Sequence, residues 1–379
     1  MERRRIVKVK VCILSMQRID NMGSLLQSYA LKKTIEKLGN EVEFIDIAKR
    51  DEDYELLGNY KQEYREEREN DSLIGKFSKV DRYILNRLKI KRKSTEQSVV
   101  FEEFRKGYLD IEMKSLKYDT CVIGSDEVFN CLGSGAWGFT SQLFGNVPEA
   151  KKVITYAASC GSTTYEKLPN AVVCRIKETF KKVEGFSVRD KNTREFVEKL
   201  IDRVINENLD PVLIYDFDKE VKHAVLPQLP EHYCVVYSYY NRIHSSEEIK
   251  SIKEFCKKNG LTPVSIGAPQ FWIKDYVICS PFQCLKVFQN ADFVITDTFH
   301  GTIFSAKYAD KFAIVTRESN YNKLSDLINR LGLENHWVGD MSRLESAYRI
   351  EKSIEIINRN IERGRIQTYN YLEKCINGK

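Results

Sequence analysis

At 379 residues, with 42% hydrophobic and 30% charged side chains, the chain is too long for one ordinary core and has the make-up of two folded domains rather than of a disordered polymer. Its net charge of +6 is a modest excess that ordinary solubility accounts for; it is compatible with an anionic substrate or a weak attraction to a membrane surface, and is too small to argue for nucleic-acid binding. No run approaches the roughly 18–20 apolar residues of a membrane-spanning helix, and MERRRIVKVKVCILS lacks the apolar length and cleavage site of a signal peptide, so a cytoplasmic location is expected, with peripheral contact at the inner face of the membrane compatible with it.

In chain order, residues 7–14 predict a first buried strand. The turn MQRIDNMGS then leads into a helix over 25–38, where Leu25, Leu26, Tyr29, Ala30, Ile35 and Leu38 recur at helical spacing. Gly39-Asn40 stops that helix, and residues 42–47 form a second strand. Strand, glycine-bearing turn, helix and strand make a βαβ unit, hence a parallel sheet with a right-handed crossover. Residues 50–117 break the pattern. They are dense in Glu, Lys and Arg and read as an insertion of polar helices beside the sheet, in part mobile. Its basic run KIKRK, residues 89–93, is of the kind that touches phosphates or a membrane surface, although such runs are more often simply solvated.

Strands resume at 118–123 and 152–158. A helix over 170–183, a short strand at 186–190, a helix over 192–201 and the segment NLDPVLIY bring a first domain to its close near residue 220. A second α/β set occupies 221–340, with strands at 232–240, 262–267, 292–297 and 312–317 alternating with helices at 245–260, 281–291, 300–310 and 321–333. Residues 341–379 read as a helical tail. The expected fold is α/β, two Rossmann-like domains facing a cleft, with the loops at the strands' carboxyl ends lining it.

Four strand-end segments carry candidate chemistry. In NMGSLLQ, Asn21 and Gly23 stand where a helix start offers free amides to an anion, although a glycine in such a turn is often only structural and no GxGxxG is present. In GSDEVFN, Gly124 and Ser125 make a tight turn and Asp126 puts a carboxylate at the ligand-facing edge; the competing reading is a helix cap. In SVRD, Arg189 can grip a phosphate or carboxylate with two parallel hydrogen bonds, or form a structural pair with an aspartate. In ITDTFHGT, Thr296, Asp297 and Thr298 can cap the next helix, Gly301 allows close approach, and His300 lies at the positive end of the helix dipole, able to exchange a proton near neutral pH. Taken alone, a buried histidine there is more often structural. The ten scattered cysteines contain no CxxC pair and suit reduced, buried thiols. The five histidines show neither HxxxH nor HExxH spacing, so no metal site is expected.

Together NMGSLLQSYALKKTIEKLG, YDTCVIGSDEVFN, ITYAASCG, SVRD, LDP, ADFVITDTFHGTIFSAKYADKFAIV and KLSDLINRLGL resemble, in order and spacing, the polysaccharide pyruvyl transferase family. The resemblance covers most of the chain apart from about 50–115 and the helical tail. It implies a fold similar to GT-B glycosyltransferases and transfer of the enolpyruvyl group of phosphoenolpyruvate to hydroxyls of a lipid- or nucleotide-linked saccharide in polysaccharide biosynthesis, with no cofactor beyond that donor. It further implies His300 as general acid or phosphate-leaving-group partner, with Asp126 and Asp297 as orienting or basic groups. Asn21, Gly23, Gly124, Ser125, Arg189, Thr296, Gly301 and Thr302 would form the substrate-binding surface, and Arg189→Ala is expected to weaken donor binding with little loss of stability. The chain departs from well-studied members in having Thr298-Phe299-His300 where Arg-Leu-His is common, and Glu127 and Phe129 where Gln and Trp are common. The alternatives are a glycosyltransferase using a sugar nucleotide and a non-catalytic glycan-binding or assembly protein.

Overall fold

Parallel pairing of buried, apolar strands organises the chain into two sheets in the computed structural model, which describes residues 8–48, 53, 80–112, 114–131 and 138–378. The first sheet comprises β1 (Lys10–Leu14), β2 (Glu41–Phe44), β3 (Tyr118–Asp126), β4 (Ala150–Ala158), β5 (Val183–Val188) and β6 (Ile205–Glu207), in the order β2-β1-β3-β4-β5-β6. The second comprises β7 (Tyr233–Tyr237), β8 (Thr262–Ser265), β9 (Asp275–Tyr276), β10 (Phe293–Thr296) and β11 (Phe312–Ile314), in the order β11-β10-β7-β8-β9. Every pair in both sheets is parallel. Side chains of β1 alternate between two apolar layers, Val11 and Ile13 in one and Cys12 and Leu14 in the other, as a strand covered on both faces requires.

Helices α1 (Met22–Lys37), α2 (Val80–Phe104), α3 (Asn170–Phe180), α4 (Lys191–Glu198), α5 (Pro211–Ile214) and α6 (Asp218–His223) precede the second sheet. Helices α7 (Ser246–Lys258), α8 (Pro281–Gln289), α9 (Phe299–Tyr308) and α10 (Tyr321–Leu331) belong to it, followed by α11 (Leu344–Tyr348) and α12 (Ile354–Leu372). In each sheet the strand order reverses once, between β1 and β3 and between β7 and β10. At such a switch point neighbouring connections leave on opposite faces and open a crevice at the strands' carboxyl ends. The apolar layer holding Leu26 and Tyr29 of α1 also contains Phe217, Phe282 of α8 and Phe304 of α9, so the floor between the two sheets is one continuous core.

Several boundaries differ from the sequence reading for local reasons. Helix α1 begins at Met22, earlier than the apolar spacing indicates, because Asn21 caps it, accepting from the N–H groups of Gly23 (2.8 Å) and Ser24 (3.2 Å). Helix α3 stops at Phe180, since Val183 already belongs to β5. The described part of the charged insertion is one long helix, α2, closed by a wide turn through Arg105–Leu109. Arg105 is buried there and donates to the carbonyls of Gln17 (2.9 Å) and Arg18 (3.2 Å) while pairing with Asp20 at 2.6 Å, which fixes the loop delivering Asn21. Of the insertion expected over 50–117 to be in part mobile, residues 50–52, 54–79 and 113 and, in KIKRK, the side chains of 89–91 lie outside the described residues.

The helical tail does not stand apart. Helix α12 packs back on the first domain: the Tyr371 hydroxyl donates to the carbonyl of Thr155 in β4 at 2.7 Å, and Gly364 lies so close to Leu209 that a Cβ there would come within 2.2 Å. Among the described residues no helix is long and apolar enough to cross a membrane.

Candidate functional site

The two crevices open into one another. A cavity of about 510 Å³ is lined from the first domain by Asn21, Ser24, Asp126 and Glu127, and from the second by Tyr239, Arg242, Asn320 and Lys323. Asn21 and Tyr239 also line a small adjoining cavity of about 30 Å³, whose wall includes Thr298 and His300; its volume accommodates about one water molecule.

Helix α9 begins on the ladder of hydrogen bonds that ends β10. The Thr298 hydroxyl accepts from the N–H of Gly301 at 2.9 Å, capping the helix, and Thr302 donates back to the Thr298 carbonyl at 2.9 Å. The Thr296 hydroxyl donates to the Tyr237 carbonyl at 2.9 Å. A Cβ on Gly301 would stand 2.1 Å from Thr296 Oγ1. Thr296, Gly301 and Thr302 therefore hold the start of α9 from beneath rather than lining the larger cavity. His300, 9% exposed, projects from the first turn, between the rings of Phe299 and Phe304. Its Nε2 lies 3.5 Å from Asp210 Oδ2, and its Nδ1 edge faces α1, where a Cβ on Gly23 would come within 2.1 Å.

Asp210 is the residue the sequence reading missed. It is 1% exposed, caps α5 by accepting from the N–H of Val212 at 2.9 Å, and accepts from Arg189 Nη1 at 3.0 Å. Burial opposes its ionisation, but His300 and Arg189 outweigh burial and hold its carboxyl at about 2. Arg189 is correspondingly 3% exposed, with its guanidinium 4.1 Å from the centre of the Phe299 ring. It does not stand at the cavity wall; of the two readings of SVRD, the structure shows the buried ion pair. The local signal was the LDP tripeptide, in which an aspartate before a proline is also an ordinary helix start.

On the first-domain side, Gly124 has φ +122°, and a Cβ there would lie 2.2 Å from the Tyr156 carbonyl oxygen, so only glycine fits. Ser125 is buried and donates to the Ala157 carbonyl at 3.0 Å. Both sit behind the wall and place Asp126, which adopts φ 82°, a costly backbone for an L-residue. Its Oδ2 accepts from the Ser24 hydroxyl at 2.7 Å, and its Oδ1 from the N–H of Glu127 at 2.9 Å. The carboxylate thus reaches the cavity already oriented.

Asp297 is placed differently from Asp126. It is fully buried, accepts from Arg317 Nε at 3.0 Å, and does not line either cavity. Burial pushes its carboxyl up, although Ser238, Arg242 and Arg317 oppose the shift. Across the cleft, Lys323 donates to Glu127 Oε1 at 2.6 Å. Burial disfavours the Glu127 carboxylate too, but Lys323 and Asn130 more than offset it and hold the group at about 2. Among the described residues no group of three or more His, Cys, Asp or Glu side chains converges to hold a metal ion.

Two expected results follow from this geometry. The folded-state values of Asp210 and Glu127 are both depressed, so the stability they contribute is present above their ordinary range and is lost as pH falls through about 4 toward 2. A melting temperature that is level from neutrality to about pH 5 and drops steeply below about pH 4 would bear this out; a level curve down to pH 3 would not. The second concerns Gly23, in the first turn of α1. Alanine there gains helix propensity of about 1 kcal/mol, yet its methyl group meets His300 Nδ1 and Cγ at 2.1 and 2.2 Å. Gly23→Ala is expected to lower turnover about 100-fold by displacing the imidazole, with a cooperative melting transition retained. Wild-type turnover in this variant would show that the position of His300 is not critical.

The sequence matches the family model described as Polysaccharide pyruvyl transferase over residues 21–319. Among solved structures the chain is similar to UDP-N-acetylglucosamine 2-epimerase from Rickettsia bellii, at 11% identity over 99% of this chain and 100% of that one, with a TM-score of 0.44. It is also similar to MnaA from S. aureus in its co-structure with UDP (10% identity, 96% and 91% covered, TM-score 0.42) and to the glycosyltransferase SnogD from Streptomyces nogalater (10% identity, 96% of each chain, TM-score 0.40). No curated protein sequence matches.

Proposed function

The chain belongs to the polysaccharide pyruvyl transferase family, and from that premise we propose that it moves the enolpyruvyl group of phosphoenolpyruvate onto hydroxyls of a glycan precursor, forming a pyruvate ketal and releasing phosphate. The observation that carries this reading is His300, backed by the buried Asp210 at 3.5 Å, in a small cavity that adjoins, at Asn21 and Tyr239, the larger one lined by the oriented carboxylate of Asp126.

The chemistry needs an acid and a base. A proton added to the methylene carbon of the donor makes the adjacent carbon electrophilic. One sugar hydroxyl adds to that carbon, the bond to phosphate breaks, and a second hydroxyl closes the ketal. Of the two hydroxyl protons released, one balances the new methyl group and one leaves with phosphate. His300 is assigned the proton transfer to carbon or to the departing phosphate, with the fixed charge of Asp210 compensating positive charge that develops on the ring. Asp126, with Ser24 donating to its far oxygen, is assigned the hydroxyl of the acceptor. Thr298, Gly301 and Gly23 serve by setting where the imidazole stands. The acceptor is proposed to be a lipid- or nucleotide-linked saccharide, met in the cytoplasm or at the inner face of the membrane.

Incubation with phosphoenolpyruvate and candidate saccharide precursors, followed by phosphate release and the mass of the saccharide product, tests the proposal. Acceptor-dependent phosphate release with a ketal product is expected. Turnover of a sugar nucleotide with no response to phosphoenolpyruvate would replace the reading with glycosyl transfer, and turnover of neither would favour a binding protein.

A further inference from the structure

The walls of the larger cavity differ in charge. The first domain contributes carboxylates, Asp126 and Glu127; the cations come from the second, Lys323 in the first turn of α10 and Arg242 in the connection after β7. Lys323 is already engaged by Glu127 at 2.6 Å. Arg242 makes no ion pair among the described residues. Its Nη1 donates to the backbone carbonyl of Asp297 at 3.2 Å, and its guanidinium carbon lies 4.5 Å from the centre of the Tyr239 ring. The carboxylate of Asp297 is close enough to feel the charge of Arg242, but its ion pair is with Arg317 at 3.0 Å. Arg242 is therefore oriented by a carbonyl and an aromatic face, and neither neutralises its charge.

An arginine fixed in this way in a concave site offers its remaining N–H groups to a carboxylate or phosphate as a planar fork. The amino end of α10 reinforces it. Asn320 lines the same cavity, but its side chain does not cap the helix; its amide donates to the Asp297 carbonyl at 2.7 Å. The first N–H groups of α10 thus have no side-chain cap, and the positive end of the helix dipole favours an anion beside Lys323.

The geometry points to Arg242 as the residue that seats the phosphate- or carboxylate-bearing donor against the second domain, which leaves the acceptor hydroxyl to Asp126 on the facing wall. Only the identity of the anion rests on the pyruvyl-transfer reading; the cation site stands on the cavity itself.

Calorimetric binding to the full chain tests this with three probes, phosphoenolpyruvate, inorganic phosphate and UDP, for the wild type, Arg242→Ala, Arg242→Gln and Arg242→Lys. Loss of the two-pronged charged contact is expected to weaken phosphoenolpyruvate binding about 10- to 100-fold in the Ala and Gln variants. Lysine, which keeps the charge without the fork, is expected to recover part of it. Gln retains length and a donor for the Asp297 carbonyl, so it carries the measurement if the Ala variant folds poorly. Equal affinity of wild type and the neutral variants for every probe overturns the assignment, as does a wild type that binds none of the three. If UDP binds, phosphoenolpyruvate does not, and the neutral variants lose UDP affinity, Arg242 stands and the proposed donor falls.

Discussion

Replacing His300 by glutamine is expected to lower turnover about 10²- to 10⁴-fold, the range over which a positioned acid or base contributes, while shifting the melting temperature little. Glutamine fills much of the space between Phe299 and Phe304 and can donate a hydrogen bond toward Asp210, but it cannot exchange a proton near neutral pH. The loss should therefore appear in kcat. Alanine is the less informative choice, because it opens a void beside the buried Asp210 and mixes a packing defect with the chemistry. Initial rates of phosphate release, read together with a melting curve, separate the two. Undiminished kcat in His300→Gln would mean that the imidazole only props the start of α9.

Arg189→Ala is expected to unfold the protein more readily, by about 3–5 kcal/mol, the usual cost of breaking a buried ion pair from one side. This is the reverse of the expectation that came with the family resemblance, and it follows the ion-pair reading of SVRD. With the guanidinium gone, Asp210 keeps its N–H from Val212 and its neighbour His300 but loses its permanent counter-charge. A fall in melting temperature of about 6–20 °C corresponds to that cost in a domain of this size. Asp210→Asn breaks the same pair from the other side and strips the charge from behind His300, so both stability and kcat should drop. An Arg189→Ala variant that melts like the wild type but binds donor poorly would return Arg189 to the substrate.

The alternation of short apolar strands with helical spacing was enough to read the βαβ order of both domains, because a brief apolar run bounded by turn residues and a 3.6-residue period leave separate marks on the sequence. His300, Asp126 and Asn21 were legible for the same reason: each stands at a strand end or helix start, where such sheets present ligand-binding groups. Partners were not legible. Lys323 and Glu127 are 196 residues apart, and nothing in KLSDLINRLGL distinguishes a lysine that crosses a cleft from one that faces water. Asp210 was visible in LDP, yet its meaning depends on α9 of the other domain lying against it. Arg242, in a loop with no periodicity, carried no local signal at all. Strands β6 and β9, of three and two residues, are too short for an apolar run to show.

The return of α12 to the first domain bears on the order in which the chain becomes stable during synthesis. Tyr371 bonds to β4, and Cys375 and Tyr371 crowd the bare backbone of Gly185 in β5. These covering groups leave the ribosome only after β7 to β11 have all emerged. The second sheet can thus complete itself from contiguous sequence, while the β4–β5 part of the earlier-made first sheet waits for its covering groups. In a nascent chain stalled between α10 and α12, the adhesive part is the old half, far from the point of arrest, and that is the half a chaperone would have to hold.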